Sequence, residues 1–159
     1  MKVVFLDIDG VLNVYCRNRD EFGCCFHKHF ESNLQMIIEK TNAKIVISST
    51  WRMSGLSIMQ KMWMQRKLAG EIIGITPCCS EINDVEFYDK VERGHEIQQW
   101  LNNNIVENYC IIDDDNDMLE SQKNNFVRTA NNFNHKGNIE GYGLTEKCAE
   151  MVIRVLNCT

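Results

Sequence analysis

Residues 1–13 read MKVVFLDIDGVLN, an apolar run that stops at Asp7-Ile8-Asp9-Gly10. Val3 to Leu6 form a short strand fit for burial on both faces, the kind found in a parallel sheet covered by helices. Two carboxylates one residue apart then stand at the mouth of a core strand. At about 4 Å and an effective dielectric of about 20, two like charges cost on the order of 4 kcal/mol. A cation is the simplest thing to hold them there.

Outward from that strand, helical and extended patterns alternate. FESNLQMIIEK puts Phe30, Leu34, Ile37 and Ile38 on one helical face, and AKIVIS is a second buried strand ending at Ser48. A helix over about 54–68 carries Leu56, Met59, Met62 and Trp63 near one side and stops at Gly70. EIIGI is a third strand, closed by Thr76-Pro77. RGHEIQQWLNNN is a helix with Ile97, Trp100 and Leu101 inward. YCIID is a fourth strand that runs into Asp113, Asp114 and Asp115, with Asp117 just beyond. NFVRTA gives a fifth strand and LTEKCAEMVIRVL a closing amphipathic helix, whereas Tyr15 to His29 shows no period. This order predicts an α/β, Rossmann-like fold: a central parallel sheet of about five strands with helices on both faces. With no repeat or linker, residues 1–159 are expected to form a single domain.

Composition narrows the function. At 44% hydrophobic and 25% charged residues, the chain has the make-up of a soluble globular protein. A net charge of −5 argues against a broad basic nucleic-acid surface, though not against a local groove. No apolar run approaches the roughly 18 residues of a membrane span, and the N-terminal apolar stretch is too short for a signal peptide. The expected location is cytoplasmic, a reducing interior where Cys16, Cys24, Cys25, Cys78, Cys79, Cys110, Cys148 and Cys158 stay as thiols. The pairs Cys24-Cys25 and Cys78-Cys79, even with His27 and His29 nearby, lack the knuckle spacing of structural zinc sites. His95 and His135 have no ligand spacing either.

In a parallel sheet, ligands bind beyond the carboxyl ends of the strands, where strand order reverses. Asp7 and Asp9, Ser48, and Asp113 and Asp114 all fall at such ends. Carboxylates without thiolate or imidazole partners suit a hard cation, most simply Mg2+. With the repulsion neutralised, Asp7 can attack phosphorus as a nucleophile, and Asp9 can protonate a leaving alkoxide and then activate water. Gly10 lets the chain turn and a substrate come close. Ser48 can donate to a phosphoryl oxygen, and a cation from the helix before the fourth strand would share its charge. Arg52 fits two readings equally, a substrate phosphate contact or a structural ion pair.

These motifs resemble the haloacid dehalogenase (HAD) superfamily of phosphohydrolases. FLDIDGVLN looks like its first motif, IVISSTWR its second, and IIDDDND its fourth. The lone cation of the third is best matched by Arg93, with Lys90 as runner-up. SSTWR, RGHEIQQWL, IDDD and Gly143-Leu144-Thr145 bring it closest to the HAD-like domain of Swiss Army knife RNA repair proteins. The resemblance implies that Asp7 is nucleophile and Mg2+ ligand, and that Asp9 is acid/base and binds the metal through its carbonyl. It implies that Ser48, with Ser49 beside it, binds phosphate, that Arg93 steadies the phosphoaspartate, and that Asp114 completes the metal shell with Asp113 or Asp117 in support.

Caps select substrates in this superfamily. The spans after Asp9 and after the third strand are too short for a large cap domain. An open site suits a phosphate on a macromolecule, a nucleic-acid end or a phosphoprotein. A small nucleotide or sugar phosphate is one alternative, and a catalytically silent phosphate-binding module on the same fold is another. A receiver-type signalling domain is disfavoured, because it needs a phosphoacceptor Asp where the third strand ends in Thr76-Pro77. Oligomeric state is not legible.

Overall fold

The computed structural model describes residues 1–78, 92–131 and 139–158. In chain order its elements are β1 (Lys2–Leu6), β2 (Arg19–Asp20), β3 (Gly23–Cys24), α1 (Lys28–Thr41), β4 (Lys44–Ile47), α2 (Leu56–Gln65), β5 (Ile72–Ile75), α3 (Arg93–Asn102), β6 (Asn108–Asp113), β7 (Phe126–Arg128) and α4 (Glu146–Asn157). The five long-range strands pair in parallel in the order β5-β4-β1-β6-β7. The chain therefore moves from β1 outward through β4 and β5, then returns to the other side of β1. The reversal falls between β1 and β6, beside Asp7.

Side chains alternate across the pleat, and this sorts the sheet into two faces. Val4, Leu6, Ile45, Ile47, Cys110 and Ile112 pack against α1, α2 and α4. Val3, Phe5, Val46 and Ile111 pack with Ile97 of α3, backed by Trp100 and Leu101. Each fully buried large apolar side chain is worth roughly 1.5–3 kcal/mol, so both faces are committed and a slip of one residue would invert them. The Phe5 ring meets Trp100 and Tyr109 edge-on, at 5.4 and 5.9 Å between centroids.

Three expectations change. The helix placed over about 54–68 is split: a 3-10 turn covers Thr50–Ser54, Gly55 breaks at φ +89°, and α2 ends at Gln65 before Lys67 turns left-handed. The stretch without a period contains an antiparallel hairpin, β2 paired with β3. Cys16 and Cys24 are joined by a disulfide, contrary to the expectation of thiols throughout. The hairpin brings them together, with α-carbons 5.2 Å apart. Cys25, Cys110, Cys148 and Cys158 are free thiols, while Cys79 and His135 lie outside the described residues. Between β1 and α1 the only regular structure is that hairpin, which is no cap domain. No described helix is long and apolar enough to cross a membrane.

Candidate active site

The register of the sheet builds the site. Leu6 pairs with Ile47 on one side and Ile112 on the other. One step further along, Asp7, Ser48 and Asp113 stand level with one another at the strand ends, and the backbone bonds Asp7 N–H to Ile112 O and Ser48 N–H to Leu6 O continue the ladder. Each stands two residues beyond an α3-facing apolar side chain: Phe5, Val46 and Ile111. The same alternation that buries those three turns the polar row toward the α3 side.

One oxygen from each of Asp7, Asp113 and Asp114 lies within 4.8 Å of the others, the only such group of potential metal ligands among the described residues. Asp7 and Asp113 are buried. Asp113 Oδ1 accepts the Asp115 N–H at 3.0 Å, whereas its Oδ2 has no hydrogen-bond donor. Asn131 Nδ2 donates to Asp114 Oδ2 at 2.6 Å. Gly10, at φ +81°, lies so close that a β-carbon there would sit 2.3 Å from the Asp114 carboxyl carbon. All three groups offer carboxylate oxygens, one of them buried without a hydrogen bond, so the cluster fits a hard cation such as Mg2+.

Burial raises the Asp7 carboxyl to about 6, against the opposing pull of Arg93 and a hydrogen bond from the Ser49 hydroxyl. Burial, reinforced by the Asp7 charge, raises Asp113 to about 8. Asp114 is raised too, chiefly by burial, with the Asn131 hydrogen bond opposing. Asp7 and Asp113 thus hold protons more tightly folded than unfolded, where a carboxyl titrates near ~4. Their stabilising contribution is complete below about pH 4 and is lost as pH rises through about 6 and about 8. Cation binding needs the ionised acids, so Mg2+ held by this cluster would stabilise most at the upper end of that window. At a hundredfold excess over its dissociation constant the gain is about 2.7 kcal/mol, or roughly 5–10 °C in Tm. Thermal melts in Mg2+ and in EDTA should diverge progressively between pH 5 and pH 9. Curves that stay parallel across that range count against metal binding by these acids.

Arg93 is the first residue of α3, and its Nε lies 3.5 Å from Asp113 Oδ2, with Nη1 buried and unpartnered. Its charge acts on both Asp7 and Asp113. Gly94 permits this placement, because a β-carbon there would meet the Leu119 backbone nitrogen at 2.5 Å. The alternative cation, Lys90, lies outside the described residues. The Ser48 hydroxyl is fully buried with no hydrogen-bond partner. The Ser49 hydroxyl also accepts the Trp51 backbone N–H at 3.4 Å.

Asp9 stands outside the acid cluster through its side chain. Trp51 Nε1 donates to one oxygen at 2.8 Å and Asn13 Nδ2 to the other at 3.0 Å. The Trp51 ring is braced by Phe26, whose centroid is 5.8 Å away, and by the Arg66 guanidinium at 5.7 Å. Arg66 is in turn clamped by two hydrogen bonds to Asp20 of the hairpin. Trp51 therefore fixes the orientation of the Asp9 carboxylate. Trp51→Phe keeps the packing and removes the donor, which for a charged acceptor is worth about ten- to a hundredfold. The expected loss is in kcat, with KM and Tm nearly unchanged. An equal fall in Tm would mark the indole as mere packing.

Two residues read as site members lie elsewhere. The Arg52 guanidinium is buried in an ion pair with Glu96 of α3 at 2.7 Å and donates to the Ser48 and Ser49 carbonyls at 3.1 and 2.9 Å. Of its two readings the contacts show the ion pair: Nη1 and Nη2 are taken up by Glu96 and the two serine carbonyls, while Nε is buried without a hydrogen-bond partner. Asp117 is drawn to the start of α3: its Oδ2 accepts the Arg93 N–H at 3.2 Å and its carbonyl the Gly94 N–H at 3.1 Å. A carboxylate at a helix N-terminus is favoured there by the exposed N–H groups, and this one does not join the metal cluster.

Sequence reasoning assigned no role to Trp51, Asn13, Glu96 or Asn131. Trp51 and Glu96 carried a signal. An indole inside SSTWR brings a donor to a site motif, and Glu96 precedes the inward Ile97 on a helix whose apolar side is otherwise clean. Compared with known families, the chain matches the HAD domain in Swiss Army Knife RNA repair proteins over residues 3–133. No curated protein and no solved structure matches it.

Proposed function

The chain belongs to the HAD domain family of Swiss Army Knife RNA repair proteins, and from that premise we propose that it is a Mg2+-dependent phosphatase acting on phosphomonoesters carried by a macromolecule. The observation that carries this reading is the buried row of Asp7, Ser48 and Asp113, with Arg93 against it and Asp114 converging on the same point. Asp7, Asp113 and Asp114 would hold the cation, which supplies charge neutralisation and polarises the phosphoryl group.

The chain's own groups perform the transfer. An Asp7 oxygen attacks phosphorus, the bond to the ester oxygen breaks, and the leaving alkoxide takes a proton from Asp9. Arg93 and the Ser48 hydroxyl share the charge on the phosphoryl oxygens. Asp9 then removes a proton from water, which attacks the same phosphorus. The bond to Asp7 breaks, and phosphate leaves. A hairpin where a cap would stand between β1 and α1 favours an open mouth and hence a large substrate; the short span expected after β5 lies mostly outside the described residues.

The test is a panel of phosphomonoesters in Mg2+: an aryl phosphate, nucleotides, sugar phosphates, phosphopeptides and oligonucleotides phosphorylated at either end. The proposal expects Mg2+-dependent phosphate release, with a phosphorylated macromolecule outrunning the small esters. Preference for a small ester shifts the reading to a metabolite phosphatase. Absence of turnover throughout replaces it with a silent phosphate-binding module.

A further inference from the structure

A cavity of about 560 Å3 opens beside the acid cluster, at the carboxyl ends of β6 and β7, lined by Asp114, Asp115, Arg128, Thr129, Ala130 and Asn131. Its wall is fixed to the site at two points. The Thr129 hydroxyl donates to Gly10 O at 2.9 Å, and Arg128 Nε donates to Asp114 O at 2.8 Å. The second bond uses one edge of the guanidinium. Among the described residues its two terminal nitrogens carry no hydrogen bond or ion pair, and the side chain is solvent-exposed. Asn131 gives its amide donor to Asp114 Oδ2, while its Oδ1 is buried without a partner. The cavity thus presents a cationic fork, flanked by the Asp114 and Asp115 carboxylates, next to the cluster proposed to hold the scissile phosphate.

The geometry points to this cavity as a subsite for a second phosphate on the substrate, with Arg128 as the residue that selects it. The inference rests on the phosphatase reading for what lies next door, and adds to it the kind of substrate preferred. A guanidinium anchored at Nε keeps a planar pair of donors that matches two phosphoryl oxygens, which an ammonium would not. The anchor limits the entropy lost on binding. The chemistry selected is a sugar phosphate bearing a second phosphoryl group, present in a nucleoside bisphosphate and in a phosphorylated oligonucleotide end alike.

The experiment compares wild type with Arg128→Gln on adenosine 3′,5′-bisphosphate, on the corresponding 5′- and 3′-monophosphates, and on a dinucleotide with a terminal phosphate. Two ratios are read: kcat/KM with the second phosphate present against absent, and the same ratio of dissociation constants by calorimetry. Ratios within one protein cancel any disturbance of Asp114. Both should favour the doubly phosphorylated ligand in wild type and fall about ten- to a hundredfold in Arg128→Gln. The bisphosphate and the dinucleotide tell a free nucleotide from a nucleic-acid end. Turnover with neither ratio moved overturns the subsite and leaves the phosphatase standing. No turnover, but a binding ratio that depends on Arg128, overturns the phosphatase and leaves the subsite. Absence of both signals overturns both.

Discussion

Asp7→Asn should lower Mg2+-dependent phosphate release by at least about a thousandfold and, in the same protein, raise the Tm of the metal-free form at pH 8. The first effect follows from chemistry: an amide is no nucleophile toward phosphorus and a poor ligand for a hard cation. The second follows from burial. Asp7 is raised to about 6 and contributes to raising Asp113 to about 8, so ionising both without a metal is unfavourable to the fold. Removing one charge relieves the other. At pH 5, where both acids are largely protonated, wild type and variant should melt together. Wild-type turnover in the variant would move the nucleophile elsewhere, and a lowered Tm at pH 8 would contradict the electrostatic account.

The second large effect is on stability. Arg52 and Glu96 pair at 2.7 Å with both side chains almost completely removed from water. Breaking a buried pair by deleting one partner costs about 3–5 kcal/mol, because the survivor keeps its desolvation penalty. Glu96→Ala should therefore lower Tm by roughly 6–20 °C. The freed guanidinium also holds the Ser48 and Ser49 carbonyls, so the folded fraction should turn over more slowly as well. Glu96→Gln, which keeps an acceptor but not the charge, should fall between. Chemical denaturation of the three proteins reads this, and an unchanged midpoint for Glu96→Ala would show that the pair contributes nothing net.

Much of this was legible because the signals are local. Alternating periods give strands and helices, and an apolar strand ending in acids marks a site wherever the strand sits in the sheet. Asp7, Ser48, Arg93, Asp113 and Asp114 all lie where strand ends or a helix start were read. What escaped depends on partners distant in sequence. Arg52 fitted two readings until Glu96, on another helix, was seen to face it. Asp117 reads as one more acid in a run, and only the position of α3 turns it into a cap. Trp51 acts on Asp9 across a gap that periodicity does not cross. Strands of two residues such as β2 and β3 fall below any pattern, and with them went the Cys16–Cys24 bond.

The order of strands has a kinetic corollary. Central β1 takes β6 as one neighbour, Lys2 pairing with Asn108 and Leu6 with Ile112, so most of the polypeptide must be looped out before that edge zips shut. Such high contact order slows folding, since closure entropy is spent before the reward arrives. A ribosome-bound chain stopped short of Asn108 could pair β1 with β4 yet would leave Asp7 without its opposing acids. Acquisition of divalent-ion affinity should accordingly be the last event in refolding, arriving with the slowest phase.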